Sequence, residues 1–193
     1  MRILPTSVQG AFVVEPEFRE DSRGGFARVF CRAAFDAHGL TAHIEQANLS
    51  TNRIAGTVRG LHFQQVPHAE AKLVRCIRGA LFDVVVDLRA DSPTFGSWDG
   101  FELSAENHLA LLVPTGCAHG FQTLLDNTTA FYHVSAAYAP EHESGVHHLD
   151  PDLGIAWPRR ISRVSERDLQ LPFLSELGTL VTNPDEAGRT TNG

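Results

Sequence analysis

The chain predicts an all-β fold, an antiparallel sandwich or jelly roll, and three observations carry the prediction. Between residues 73 and 135, short runs rich in β-branched and aromatic residues recur at roughly 8–12-residue spacing, the rhythm of antiparallel strands. Gly, Pro, Asn and Asp punctuate those runs. The period of amphipathic helices is scarce throughout.

In chain order, Arg32 to Gly39 is the first helical stretch. Strands are predicted over Leu73 to Cys76, Ala80 to Leu88, Leu109 to Val113, Gly120 to Leu124 and Ala130 to Ser135. Their turns fall at Arg78-Gly79, Asp91-Ser92-Pro93, Pro114-Thr115-Gly116 and Asp126-Asn127, all residue types with turn-forming backbone chemistry. Ser165 to Ser175 is the second helical stretch. These elements form one domain over residues 1–177, with no internal repeat and no linker. Past Gly178, Asn183-Pro184-Asp185-Glu186-Ala187-Gly188 and the Thr-rich end hold no apolar pattern to bury, which predicts a disordered tail over residues 178–193.

At 193 residues and 42% hydrophobic, the chain can build a substantial core. A net charge of −7 speaks against a general nucleic-acid binder or a membrane-surface protein, so an anionic ligand has to be held by a few local arginines. The opening Met1-Arg2-Ile3-Leu4-Pro5 lacks the pattern of a signal peptide, and no apolar run reaches spanning length, so the expected location is the cytoplasm. Cys31, Cys76 and Cys117 are odd in number and lack CxxC spacing, as expected for reduced thiols rather than a disulfide framework or a structural zinc site.

Among 16 Lys and Arg residues, Lys72 is the only lysine. A lysine is a compact ammonium and an arginine a planar fork, so the two are not interchangeable inside a site. Strand parity adds geometry, because side chains alternate faces with period two. It groups Lys72 with Val74 and Cys76, His62 with Gln64, His119 with Phe121, and Tyr132 with Val134. In the Ala80–Leu88 run it sets Asp83, Val85 and Asp87 on one face and Phe82, Val84, Val86 and Leu88 on the other. Two carboxylates inside a strand are unusual. If the polar faces line an interior, His, Lys, Tyr and Asp meet within it.

The segments Asp21-Ser22-Arg23-Gly24-Gly25-Phe26, Gln46-Ala47-Asn48-Leu49-Ser50, Arg59-Gly60-Leu61-His62-Phe63-Gln64, Ala71-Lys72-Leu73-Val74, Phe82 to Arg89, Ser92 to Gly96, Pro114 to Phe121 and Asp150-Pro151 resemble, in order and spacing, the dTDP-4-dehydrorhamnose 3,5-epimerase family. The resemblance runs from about residue 2 to about residue 175. It implies a cupin-like, double-stranded β-helix jelly roll with a few short helices, assembled as a homodimer that exchanges N-terminal strands. It also implies inversion at C3 and C5 of a dTDP-linked 4-keto-6-deoxyhexose, with neither metal nor cofactor.

By that resemblance His62 is the base and Asp168 its carboxylate partner, a pairing that sets the tautomer and supports the imidazolium. Lys72 faces the oxygen on C4, where the enolate charge develops. Tyr132 is the acid on the opposite face, with Tyr138 as its competitor, and His119 faces the sugar. Arg23, Arg59 and Arg167 supply cations for a diphosphate. Phe26 resembles the aromatic that stacks on the base from the neighbouring subunit, and Gln46, Asn48 and Glu143 match sugar- and base-contacting positions. One position departs from the family: in the pattern Asp-x-Arg-Gly-x-Phe-x-Glu the last residue here is Arg28, which reverses the charge near the nucleotide.

Three alternatives stay open on the residues. A mono-epimerase would invert only C3 or only C5 of a modified sugar. A metal cupin is disfavoured because Gln64 stands two residues after His62, and the adjacent His147 and His148 point to opposite sides of a strand. A non-catalytic sugar-binding jelly roll has no use for a base, an ammonium and an acid together.

Overall fold

The structure is a computed structural model that describes residues 1–40 and 43–177. Its strands are β1 (Arg2–Pro5), β2 (Phe12–Glu15), β3 (Phe18–Asp21), β4 (Gly24–Ala27), β5 (Gln46–Asn52), β6 (Val58–Gln64), β7 (Lys72–Arg78), β8 (Ala80–Asp87), β9 (Trp98–Ser104), β10 (Ala110–Val113), β11 (Cys117–Thr123), β12 (Thr128–Val134) and β13 (Glu143–Gly145). The helices are short: α1 (Arg32–Asp36) and α2 (Glu166–Leu169), with 3-10 turns at Pro140–His142 and Leu174–Glu176. The expected tail over 178–193 lies outside the described residues.

Two antiparallel sheets face each other, one in the order β1-β2-β10-β7-β12-β5 and one in the order β13-β6-β11-β8-β9. From β5 to β8 and from β9 to β13 the chain steps from one sheet to the other at each connection, which winds the pair into a double-stranded β-helix jelly roll. The short β3–β4 hairpin stands apart as its own two-stranded sheet.

Period-two alternation sorts the side chains. From β7 and β8, Val74, Cys76, Leu81 and Val85 join Leu111, Val113, Cys117, Phe121 and Ala130 in the core between the sheets. The opposite side chains of β8, Val84 and Val86, pack with Leu61, Phe63, Ala118, Val146 and Leu153 on the outer face of the five-stranded sheet, where the C-terminal segment covers them. Phe35 of α1 seals the outer face of the six-stranded sheet against Val14, Leu73, Ala110 and Leu112. The carboxylates of β8 point inward and are fully buried. Asp87 is satisfied by Arg89 through Nε and Nη2, each at 2.8 Å, and by the hydroxyls of Ser92 and Thr94. Burial alone would raise its pKa, but those partners outweigh it and hold the carboxyl below its ordinary range. No helix among the described residues is long and apolar enough to cross a membrane.

Candidate active site

Where β5, β6, β7 and β12 come together, a cavity of about 440 Å³ opens, lined by Gln46, Asn48, His62, Gln64, Glu70, Lys72, Tyr132, Tyr138 and Glu143, with Phe63 and Val134. Strand register explains the gathering. Lys72 pairs with Val134 and Val134 with Gln46, so three neighbouring strands present their ends at one level. Tyr132 pairs with Asn48 one period further in, and the two share the inward face.

His62 is oriented from outside the sheets. Its Nε2 lies 2.7 Å from Oδ1 of Asp168, a residue 106 positions away in the sequence. Asp168 sits in α2, where the Ser165 hydroxyl caps the first turn by accepting the Asp168 N–H at 3.0 Å. Its second oxygen accepts the Gly60 N–H at 3.1 Å. Burial works against ionising Asp168, yet the bond from His62, the charge on that ring, and the Gly60 and Ser165 contacts outweigh burial and hold the carboxyl below its usual range. An ionised carboxylate accepts the hydrogen bond from Nε2–H and leaves Nδ1 as the basic nitrogen, the tautomer a general base needs.

Gly60 lets that arrangement form. Its φ is +112°, and a Cβ there would come within 2.6 Å of the Gly120 Cα on β11. Only glycine tolerates both the backbone angle and the approach. The β6–β11 register shifts just beyond, between His119 and Phe121.

Lys72 is buried, with Nζ 3.1 Å from Glu70 Oε1 and 3.3 Å from the carbonyl oxygen of His62. The phenol of Tyr132 is raised above its ordinary pKa, first by burial, then by Glu70, with Arg59 partly opposing and Glu143 adding to the rise. It keeps its proton across neutral pH, as an acid must. At the rim, Tyr138 donates to Glu143 Oε2, and Arg167 Nη2 reaches the same oxygen at 2.7 Å. Arg59 donates Nε to Asn52 Oδ1 at 2.7 Å.

The sequence-expected residues thus divide. His62, Lys72, Tyr132, Tyr138, Gln46, Asn48 and Glu143 line the cavity, and Asp168, Arg167 and Arg59 contact or flank that wall. His119, paired with His62 in the β6–β11 register, is not among the lining side chains, and its Nε2 is bonded to Asp83 Oδ1 at 2.8 Å. Within one chain, Arg23, Phe26 and Arg28 lie elsewhere. Arg23 is 87% exposed and paired with Asp21, and Phe26 is 71% exposed on the β3–β4 hairpin. Phe26 and Arg28 line a second cavity of about 340 Å³ with Met1, Glu17, Arg19 and Cys31. Glu70 and Gln64 belong to the wall although neither was expected there as a site residue. Parity offered a signal for Gln64, two residues after His62 on β6, but none for Glu70, which precedes β7. Among the described residues, no group of three or more His, Cys, Asp and Glu side chains is arranged to hold a metal ion.

Comparison with known proteins adds a family to this geometry. Residues 5–176 match the model of the dTDP-4-dehydrorhamnose 3,5-epimerase family. A dTDP-4-dehydrorhamnose 3,5-epimerase of Sinorhizobium fredii is 46% identical over 89% of this chain and 88% of its own length. A dTDP-4-dehydrorhamnose 3-epimerase of Streptomyces niveus is 43% identical over 91% of this chain and 85% of its own. Among solved structures, NovW, a 4-keto-6-deoxy sugar epimerase from the novobiocin biosynthetic gene cluster of Streptomyces spheroides, superimposes with a TM-score of 0.89 at 42% identity, covering 94% of this chain and 93% of that one.

Proposed function

The chain belongs to the dTDP-4-dehydrorhamnose 3,5-epimerase family, and we propose that its cavity inverts C3 and C5 of a dTDP-linked 4-keto-6-deoxyhexose. The observation that carries the reading is the His62–Asp168 pair on one wall of a cavity that also holds Lys72 and Tyr132. Both carbons flank the C4 ketone, so removing either proton sends charge onto one oxygen. His62 Nδ1 takes the proton, and Asp168 supports the imidazolium. Lys72 stabilises the enolate oxygen, a contribution worth roughly 3–4 kcal/mol in comparable oxyanion sites. Tyr132 returns a proton from the opposite face, which inverts the carbon. No electron pair leaves the substrate, so the chemistry closes without a redox partner.

The nucleotide end is completed in this reading by a second copy of the chain. The exposed β3–β4 hairpin, with Arg23, Phe26 and Arg28, reaches across a homodimer to cover the base and diphosphate, while Arg59 and Arg167 stay in cis. The position of Arg28, where a carboxylate is usual, adds a cation for phosphate. The unpaired thiols of Cys31, Cys76 and Cys117 support a reducing, cytoplasmic setting. A second reading, inversion at C3 alone, is favoured by the likeness to the Streptomyces niveus 3-epimerase.

Turnover of dTDP-4-keto-6-deoxyglucose in deuterated water separates the two. Label at C3 and C5 is the expected outcome, and label at C3 alone would establish the mono-epimerase. The His62→Ala variant is expected to incorporate label at least about 100-fold more slowly, the lower end for loss of a general base. Incorporation at the wild-type rate would remove His62 from the mechanism.

A further inference from the structure

We propose that Glu70 is a positioning residue of this site, its carboxylate fixing the Lys72 ammonium at the cavity wall and keeping a negative charge beside Tyr132. The inference rests on the reading of Lys72 as oxyanion partner and Tyr132 as acid.

Glu70 stands in the connection between β6 and β7, and its side chain is 9% exposed, on the wall of a cavity suited to a dianionic diphosphate sugar. A carboxylate is costly there on two counts: it loses water, and it repels the ligand. What holds it is specific. Oε1 meets Lys72 Nζ at 3.1 Å, and Oε2 accepts from Gln64 Nε2 at 3.2 Å. Gln64 is itself anchored: its two amide N–H groups are shared among Glu70 and the carbonyl oxygens of His68 and Ala137, and its Oε1 accepts the Ala139 N–H at 2.6 Å. Glu70 is therefore held, through Gln64, against the backbone at His68 and at residues 137–139, and passes that rigidity to Lys72.

The ammonium has three donors. Glu70 takes one and the His62 carbonyl oxygen a second at 3.3 Å. The third is left for a ligand oxygen, in a direction set by the first two. The bond to the backbone of His62 also ties the ammonium to the strand that carries the base, so Glu70 helps to hold the distance between base and oxyanion partner.

The charge has a second effect. Tyr132 faces Glu70 from the β6–β7 connection, Glu143 from β13, Arg59 and His62 from β6, and Lys72 from β7. After burial, Glu70 is the largest influence raising the phenol. An acid works only while protonated, so activity falls as pH rises through the phenol's value. Neutralising Glu70 lowers that value and moves the alkaline limb of kcat to lower pH.

The test uses the full-length protein and measures label incorporation from deuterated water, as kcat and KM across pH, for wild type, Glu70→Gln and Glu70→Asp. In Glu70→Gln, kcat is expected to fall about tenfold, the scale seen when the partner of a working group is lost. Its alkaline limb should move down by about one pH unit, as for loss of one close charge, with KM not raised, since a charge that repels the ligand is gone. Glu70→Asp keeps the charge one methylene short and should restore the position of the limb even where kcat stays low. A Glu70→Gln variant with wild-type kcat and an unmoved limb overturns the proposal, as do equal losses in both variants with the limb unmoved, the outcome of a merely structural role. A wild-type protein that incorporates no label at C3 or C5 overturns instead the functional reading beneath it.

Discussion

Replacing Asp168 by Asn keeps the shape of the side chain and removes the charge that fixes the His62 tautomer. An amide that presents its NH2 to Nε2 forces the ring proton onto Nδ1, the nitrogen needed as base. Asp168→Asn is therefore expected to lower kcat by roughly 10³–10⁴-fold with little change in nucleotide binding, the scale of amide-for-carboxylate changes in His–Asp pairs; a loss under tenfold would reduce Asp168 to a structural role. The same carboxyl sets a pH dependence. Its folded value is depressed, so the stability it contributes is present above its unfolded value and lost as pH falls through the folded one. Wild-type Tm should drop as pH is lowered through and below about 4, the ordinary carboxylate value, and the Asn variant should drop less steeply. Individual residues were legible to differing degrees. Lys72 stood out as the only lysine among 16 basic residues. Glu70 did not, because a carboxylate near a lysine in sequence is ordinarily a solvated pair, and only its place in the folded cavity wall makes it 9% exposed.

Strands with an uninterrupted apolar or β-branched run were readable, whereas β6, although mostly buried, was not among the predicted strands because Gly60 breaks its run. The runs at Leu73 to Cys76, Ala80 to Leu88 and Ala130 to Ser135 became the centres of β7, β8 and β12, with ends displaced by up to two residues. β3 and β4 are too polar and exposed to carry an apolar alternation, and β9 is a half-exposed edge strand interrupted by Gly100. The helical stretch at Ser165 to Ser175 shrank to α2 and a 3-10 turn, with Pro172 between them. The β6–β11 contact offers a test at this scale. Gly60→Ala adds a methyl 2.7 Å from the His119 carbonyl oxygen at a φ of +112°. It is expected to destabilise the fold by about 2–4 kcal/mol, read as a lower urea midpoint at constant m. Because the Gly60 N–H holds Asp168, kcat should fall as well. A variant with wild-type stability would mean that β6 and β11 need not approach so closely.

On the whole-molecule scale, one chain leaves a hairpin exposed, with Phe18 at 42% and Phe26 at 71%, and Arg23, Phe26 and Arg28 are not among the residues that line the cavity of about 440 Å³. If the hairpin completes the partner's site, a mixture of two inactive variants regains activity. In a mixed dimer of His62→Ala with an Arg23→Ala, Phe26→Ala double variant, one site carries both lesions and the other carries none. Unfolding and refolding the two together should recover up to about a quarter of wild-type activity, since random pairing puts half of the chains in mixed dimers. No recovery would place each hairpin over its own cavity. By itself the sequence determined the β class, which side chains of β7 and β8 share a face and, through the order of its motifs, the family, because strand parity and motif spacing are properties of the local chain. Tertiary structure alone decided which inward polar groups meet the cavity. His62 and His119 are paired in register on adjacent strands, yet one ring faces the cavity with Asp168 behind it and the other is bonded to Asp83. Parity sets the face of a side chain. The partner that burial forces on it, brought from as far as 106 residues away, sets what it can do.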